Sequence, residues 1–422
     1  MADIDASKQA GAPLPQKSAK SFPGTTELVV MVAGLMALNA FAIDIMLPAL
    51  HQIALDVGLS AEGEASNNRQ QMIVFAYVLG FGAPQLVWGP ISDRFGRRAP
   101  LFIALTGYIL MAITCAFMRD FTSLLVVRFV QGVFASGARL VGVSVVRDMF
   151  AGRDMARFMS LVMTIFMIIP IIAPSIGQII LYVTDWKWIF GVLAIFGAIM
   201  LTWTYLRLPE TLPPPKRQSL SLKRAGSSYA AVIRSRVTFG YMIASGIVFG
   251  ALFSFIGSAE QVFREVFHQE NTFAYWFAGI ACALAFANFT NARIVQTVGM
   301  RRISHIALIV FTAVAALLAG TTWLFGENLY RFFILFAICF GCFGMMGANF
   351  SALAMEPLGK IAGTASAAYG FMTTTVSSIF GMTIGHFYDG STIPLMLGFV
   401  ALGVSSLIVV LVTEKGKLFS RV

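Results

Sequence analysis

Charge is what this sequence has least of. Only 12% of its 422 residues are Asp, Glu, Lys or Arg, while 58% are hydrophobic. A soluble globular chain carries about 25% charged residues, so the deficit excludes an ordinary soluble domain. Cysteine is scarce as well. Cys115, Cys282, Cys339 and Cys342 are the full set, and each lies in an apolar run. Cys339 and Cys342 form a Cys-x-x-Cys, but no acid, histidine or second cysteine pair accompanies them. They read as small apolar packing residues. The four histidines, His51, His268, His305 and His386, avoid the middle of every apolar run, which argues against a histidine relay. No Ser-His pair, metal-ligand cluster or phosphate-binding glycine loop stands out, so neither enzyme, metal nor cofactor is expected. Residues 1–24 lack the apolar core and cleavage site of a signal peptide and read as a disordered cytoplasmic tail.

Long apolar runs are what the sequence does have. Twelve begin near Leu28, Gln70, Ala99, Phe121, Phe158, Lys187, Val237, Thr272, Ile303, Leu329, Ile361 and Thr392. A helical span needs about 20 apolar residues, so these runs use most of the length and leave no room for a catalytic domain. The expected fold is an all-α membrane protein with twelve transmembrane helices. The net charge of +10 would suit nucleic acid, but its placement does not. Basic residues gather in alternate connections and at the two ends: Arg94, Arg97 and Arg98, then Arg147, Arg153 and Arg157, then Arg207 through Arg236, then Arg301 and Arg302. The other connections hold little beyond Arg69, Arg119, Lys187, Arg264 and Arg331. This is the asymmetry of cytoplasmic loops. It puts both termini in the cytoplasm and makes the lipid bilayer, not nucleic acid, the partner.

The longest internal polar stretch, 209–236, contains Pro213, Pro214 and Pro215 and reads as a cytoplasmic linker. It divides a six-helix bundle over 25–208 from another over 237–414, with a cytoplasmic tail at 415–422. The halves look related. A shift of 203 positions lays Gly96, Arg98, Ile103, Ala104 and Leu105 on Gly299, Arg301, Ile306, Ala307 and Leu308.

Three charges, Asp44, Arg128 and Arg139, stand inside apolar runs where lipid makes them costly, by about 2.5–3.5 kcal/mol each on insertion scales. Asp44 lies in the first run and Arg128 in the fourth. Counted from Leu50 and Phe121 at about 1.5 Å per residue, both fall about 9–10 Å below the outer surface. Two readings stand: a static ion pair between helices 1 and 4, or a proton site beside a cation that tunes it. Arg139 is three turns beyond Arg128 on nearly the same face; it lines a cavity and attracts an anionic group, snorkels, or pairs with an unidentified acid. Glu260 is followed at i+4 by Arg264 and reads as a surface ion pair. Glu356, just before Pro357, reads as a helix-end residue.

Between runs two and three, Gly89-Pro90-Ile91-Ser92-Asp93-Arg94-Phe95-Gly96-Arg97-Arg98 packs one acid and three arginines into a tight turn. In run five, Pro170 and Pro174 remove backbone donors and bend the helix, and Gly177 permits close packing. Further residues stand at helical spacing and are candidates for a cavity lining: Asn39 and Phe41 in run one, Tyr77 with Phe81 and Gln85, Gln131, Phe253 among Phe249 and Phe255, and Asn349 with Phe350. Helix packing is the plainer reading of such stripes.

Four of these segments together resemble the major facilitator superfamily. The 89–98 turn resembles its loop signature, and Arg128, Gln131 and Gly132 its helix-4 Arg-x-x-Gln-Gly motif. Pro170 to Gly177 is similar to the helix-5 antiporter motif. Ile43-Asp44-Ile45-Met46-Leu47-Pro48 resembles the helix-1 pattern of the Bcr/CflA drug:proton antiporters, and Ser258–Arg264 and Asn291-Ala292-Arg293 are similar to that subfamily too. The resemblance implies two pseudo-symmetric six-helix bundles around one site. It implies a cytoplasmic gate made of Gly89, Asp93, Arg94, Gly96, Arg97 and Arg98, with Asp93 facing the start of helix 11. It implies proton coupling through Asp44 and Arg128. Ala173, Gln178, Ala259-Glu260 and Arg139 depart from the pattern.

The expected function is proton-coupled export of small amphipathic molecules by a monomer in the bacterial cytoplasmic (inner) membrane, with a small-molecule substrate and protons as its partners. A dedicated exporter of a sugar, amino acid or siderophore is the transporter alternative. A non-transporting membrane sensor would leave the gate motif and the helix-5 prolines without purpose.

Overall fold

The computed structural model describes residues 23–59, 68–150, 152–217 and 222–419. The expected tail therefore lies outside the described residues except for Pro23 and Gly24. Every regular element among the described residues is helical, as lipid demands of a chain that must satisfy its own backbone.

The first span covers Thr25–Asp56. It consists of α1 (Thr25–Asp44), a 3-10 turn (Leu47–Ala49) and α2 (Leu50–Asp56). The second is α3 (Met72–Gly82) and α4 (Gln85–Phe95), bent by 42°. Pro84 stands at the bend and supplies no donor to the ladder. Next come α5 (Arg98–Phe117) and α6 (Phe121–Met149). The fifth span breaks at Met167-Ile168 between α7 (Gly152–Phe166) and α8 (Ile169–Val183), with Pro170 in the first turn of α8. The sixth is α9 (Lys187–Arg207), followed by a short α10 (Leu222–Arg234) in the polar stretch.

The second half runs α11 (Arg236–Gln261), α12 (Phe273–Val298), α13 (Met300–Phe325) and α14 (Leu329–Met355). It ends in α15 (Ala362–Phe371), a π-helical turn (Met372–Val376), α16 (Ser377–His386) and α17 (Ile393–Thr413). Among the described residues ten helical stretches are long and apolar enough to cross a membrane, and the bent α3–α4 pair makes an eleventh. The run that begins near Ile361 is helical throughout, but its sequence is rich in Ala, Gly, Ser and Thr. It is less apolar than the others because it is built for close packing, lying along α3 and α4.

The halves repeat one packing plan. In the first, α5 packs on α6 and α9, while α3 and α1 pack on α6. In the second, α13 packs on α14 and α17, while α12 and α11 pack on α14. Large apolar side chains face outward around the bundle, among them Phe117, Val183 and Trp323, which suits acyl chains and not water. The polar stretch is more structured than a plain linker. Helix α10 packs on α11 and α15, and the Tyr229 hydroxyl donates to the Leu86 carbonyl at 3.2 Å.

Candidate functional site

The break in span 1 follows from sequence. Pro48 has no N–H to give to the carbonyl four residues earlier, which is that of Asp44. Helix α1 therefore ends at Asp44, and a 3-10 turn with Pro48 near its start carries the chain into α2. The Asp44 side chain is 5% exposed, so it does not face lipid. Among the described residues no hydrogen bond or ion pair reaches its carboxylate. Span 1 also continues past Leu50 to Asp56. Asp44 is thus about 18 Å of helix from the end of the span, twice the depth counted from the sequence.

Span 5 presses on this break. Gly177 of α8 lies so close to the Ile45 carbonyl that a Cβ at that position would collide with it. Pro174 is inside the same helix, and Pro170 is in its first turn. The three residues of the proline motif therefore shape the surface that meets the residue next to Asp44.

Arg128 is completely buried. Its Nε donates to the Ile73 carbonyl at 3.3 Å, Nη1 to Gln131 Oε1 at 2.7 Å, and Nη2 to the Ala42 carbonyl at 3.2 Å and Met46 Sδ at 3.0 Å. The guanidinium also lies 4.4 Å from the Tyr77 ring centroid. Arg128 therefore reaches the level of Asp44, as expected, but the two are not paired. Met46 is two residues past Asp44, about 200° around the helix, so the face that meets Arg128 is not the face that carries the carboxylate. The static ion pair is absent among the described residues. Around Arg128, the Tyr77 hydroxyl and Gln131 Nε2 are buried with no protein partner, as are the Tyr108 hydroxyl and, further along α1, Asn39 Oδ1.

The remaining cavity candidates fall into separate groups. Phe41 packs edge-on against Phe196 within the first half, with centroids 5.5 Å apart. Arg139 is half-buried; its Nη1 donates to Gln85 Oε1 at 3.4 Å, and its guanidinium is 5.7 Å from the Phe81 ring. In the second half, Asn349 Nδ2 donates to Asn291 Oδ1 at 2.8 Å, and Phe350 is wholly buried against Tyr241. Phe253 is half-buried on α11 where Gly381 of α16 meets it. No hydrogen bond joins the first-half candidates to the second-half ones among the described residues.

Side-chain amides join the halves, alongside helix packing of α8 on α12 and of α4 on α15. At the end remote from the arginine turn, Gln71 Nε2 donates to Gln261 Oε1 at 3.0 Å, and Gln261 Nε2 to Asn68 Oδ1 at 3.2 Å. Asn68 Nδ2 in turn donates to the carbonyls of His386 and Tyr388 at 3.0 and 2.9 Å. Gln70 Nε2 donates to Glu260 Oε2 at 3.2 Å. Glu260 does pair with Arg264, at 2.7 Å, but the pair is not on the surface: Glu260 is 6% exposed because the first half covers it. Sequence reasoning passed over these amides. The available signal was Gln70-Gln71 at the head of one run and Glu260-Gln261 at the end of another. Midway between the ends, Gln85 Nε2 donates to Thr374 Oγ1 of the π-helical turn at 3.5 Å.

The arginine turn is a closed electrostatic knot. Gly96 takes φ +87°, a region that favours glycine, and so reverses the chain between α4 and α5. Arg97 donates to Asp93 at 2.7 Å, to Ser92 Oγ at 2.7 Å and through two nitrogens to Asp148 at 2.7 and 3.1 Å. Glu210, just past α9, accepts from the backbone N–H of Arg97 at 2.8 Å and of Arg98 at 3.2 Å. It thus caps the start of α5, where unpaired donors and the helix dipole favour a negative charge. Arg98 stacks over Phe102 and Tyr205, and Arg94 lies by Phe95. Gly89 sits one turn back in α4. Asp93 was expected to face the start of the eleventh span, the run that begins near Ile361 and holds α15. Its helix α4 does pack on α15, but its own partner is Arg97. The second half repeats the knot. Gly299 takes φ +92°, and Arg301 pairs with Glu414 at 3.0 Å and Glu356 at 3.4 Å. Glu356 is thus an ion-pair partner as well as a helix-end residue.

Two copies of one helical plan, each with a glycine-turned arginine–acid knot at the same end, match a known architecture, and a profile of the Major Facilitator Superfamily covers residues 32–382. The chain belongs to that superfamily. The names of its relatives accord with the resemblance to the Bcr/CflA drug:proton antiporters. The chain is 30% identical over 361 residues to the MFS-type transporter YdgK of Bacillus subtilis, covering 85% of this chain and 88% of the relative. It is 28% identical over 377 residues to a bicyclomycin resistance protein homolog of Haemophilus influenzae, covering 88% and 92%. A partially occluded inward-open structure of the xylose transporter XylE from E. coli superposes with a TM-score of 0.72 over 91% of this chain and 96% of that one, at 13% identity. That last likeness is one of major facilitator fold alone.

Proposed function

We propose that this transporter exports small amphipathic molecules in exchange for protons, by alternating access of one site between two six-helix halves (25–208 and 237–414). The carrying observation is the Asp44 carboxyl. It is buried at the break of span 1, without hydrogen-bond or ion-pair partners among the described residues, beside the proline-shaped helix α8. A carboxyl so placed gains or loses a proton when small motions change its surroundings. Arg128 couples that exchange to movement, because its bonds tie α6 to the Ala42 carbonyl on one side of Asp44 and to the Met46 sulfur on the other. Protons enter from outside, load Asp44 and displace substrate outward. Each inward elementary charge yields about 2.3 kcal/mol per 100 mV. The arginine turn serves as the cytoplasmic gate, both termini are cytoplasmic, and the working unit is a monomer in the bacterial inner membrane. The relative named for bicyclomycin resistance supports a drug-like substrate.

The test is dye export from proteoliposomes under an imposed pH gradient. Rhodamine 123 and fluorescein serve as probes. The wild type exports at least one of them in proportion to the gradient, and Asp44→Asn loses that dependence. Equal gradient-driven flux in both proteins removes Asp44 from the mechanism.

A further inference from the structure

The two arginines on the inner face of α6 are in opposite situations. Arg128 has its guanidinium spent on three oxygen acceptors and one sulfur, all from the protein. Arg139, three turns along the same face, has a single long bond to Gln85 Oε1 at 3.4 Å. No described carboxylate lies within ion-pair distance of it. Of five donors on a guanidinium, most remain unused on Arg139. A cation inside a membrane span is retained where something answers its charge, and among the described residues no acid does.

The surroundings indicate what does. Gln85 holds Arg139 from one side and reaches Thr374 of the second half from the other. Gly370 of α15 lies against the Gln85 amide with no side chain between them. Arg139 therefore stands at the seam of the two halves, where a ligand would feel their relative motion. The Phe81 ring lies 5.7 Å from the guanidinium and offers a flat apolar wall.

From this contrast we infer that Arg139 is the anion-recognising group of the transport site, and that the substrates are amphipathic anions, with a carboxylate or sulfonate on a flat ring system. A guanidinium fork matches a carboxylate with two parallel hydrogen bonds, and the ring lies along Phe81. The inference rests on the export reading for its biological sense, but binding at Arg139 is testable without transport.

The experiment is equilibrium binding to the full chain in dodecyl maltoside micelles, free of added phospholipid so that no lipid phosphate competes. Fluorescence anisotropy reads two dyes that share a xanthene core, anionic fluorescein and cationic rhodamine 123. Arg139→Gln is expected to weaken fluorescein by about tenfold or more and to leave rhodamine 123 unchanged or tighter. Arg139→Lys, which keeps the charge and loses the fork, is expected to fall between. A monodisperse size-exclusion profile shows that the variants are folded. Fluorescein binding within twofold of wild type in Arg139→Gln overturns the inference, and so does an absence of saturable fluorescein binding to the wild type. Arg139-dependent binding without gradient-driven flux would sink the export reading and leave the anion site standing. Rhodamine 123 export without fluorescein binding would do the reverse.

Discussion

Gly177 of α8 rests on the Ile45 carbonyl with no space for a side chain between them. The contact ties the fifth span to the backbone immediately after Asp44. A helix that presses on a carbonyl has little freedom to yield, unlike one that presses on a flexible side chain.

Gly177→Ala is therefore expected to push α8 away from the break in span 1. Overpacking of this kind costs about 1–3 kcal/mol. Gradient-driven dye flux should fall by about tenfold at unchanged expression, with a modest drop in melting temperature. Wild-type flux from Gly177→Ala would show that the close approach has no part in transport.

The amide set at the far end is expected to hold the halves together there. Asn68→Ala with Gln71→Ala removes four cross-half hydrogen bonds. At about 1 kcal/mol each, their loss weakens the closed far end by about a thousandfold in equilibrium. Spin labels at the exposed positions Leu55 and Tyr330 should report a longer distance by double electron–electron resonance. An unchanged distance distribution would mean that apolar packing alone keeps that end shut.

The second-half knot predicts a pH dependence. Burial works to raise the Glu414 carboxyl, but the Tyr241 hydroxyl and the Arg301 guanidinium outweigh it and hold it below the usual carboxylate range. A carboxylate lowered by folding stabilises the protein above its unfolded pKa, about 4.3. That contribution is lost as pH falls through the folded value. The wild type should melt above Glu414→Gln at neutral pH, and the gap should close as the medium is acidified below the ordinary carboxylate range. A gap that stays constant down to acid pH would assign the effect to packing.

Much of this was legible in the sequence because it is local. Helical periods and the bend in span 5 follow from neighbours along one helix; the break at Pro48 and the contact of Arg128 with Gln131 are just as local, although neither was among the expectations. The arginine turn was legible as a turn, but not its partners. Asp148 and Glu210 come from 51 and 113 residues away, and no periodicity ties them to Arg97. Depth counting placed Glu260 near the surface, since the count knows how far along its helix a residue is and not which helix covers it. Arg128 does reach span 1 on either side of Asp44, but the depth counted for Asp44 was half of what that span gives. The separation of Asp44 and Arg128 on opposite faces of a turn depends on how α1 is rotated, and hydropathy averages that away.

The short helix α10 touches both halves. It leans on the second half through α11 and α15, while its Tyr229 phenol holds the Leu86 carbonyl of the first. The peptide that links the two bodies is therefore also a clasp. Swinging α4 off α15 would unhook the phenol and leave a main-chain acceptor to find water at the membrane edge. The bond thereby favours the arrangement in which those two helices touch, and a pull on the clasp would bear on that contact from outside the helical bundles.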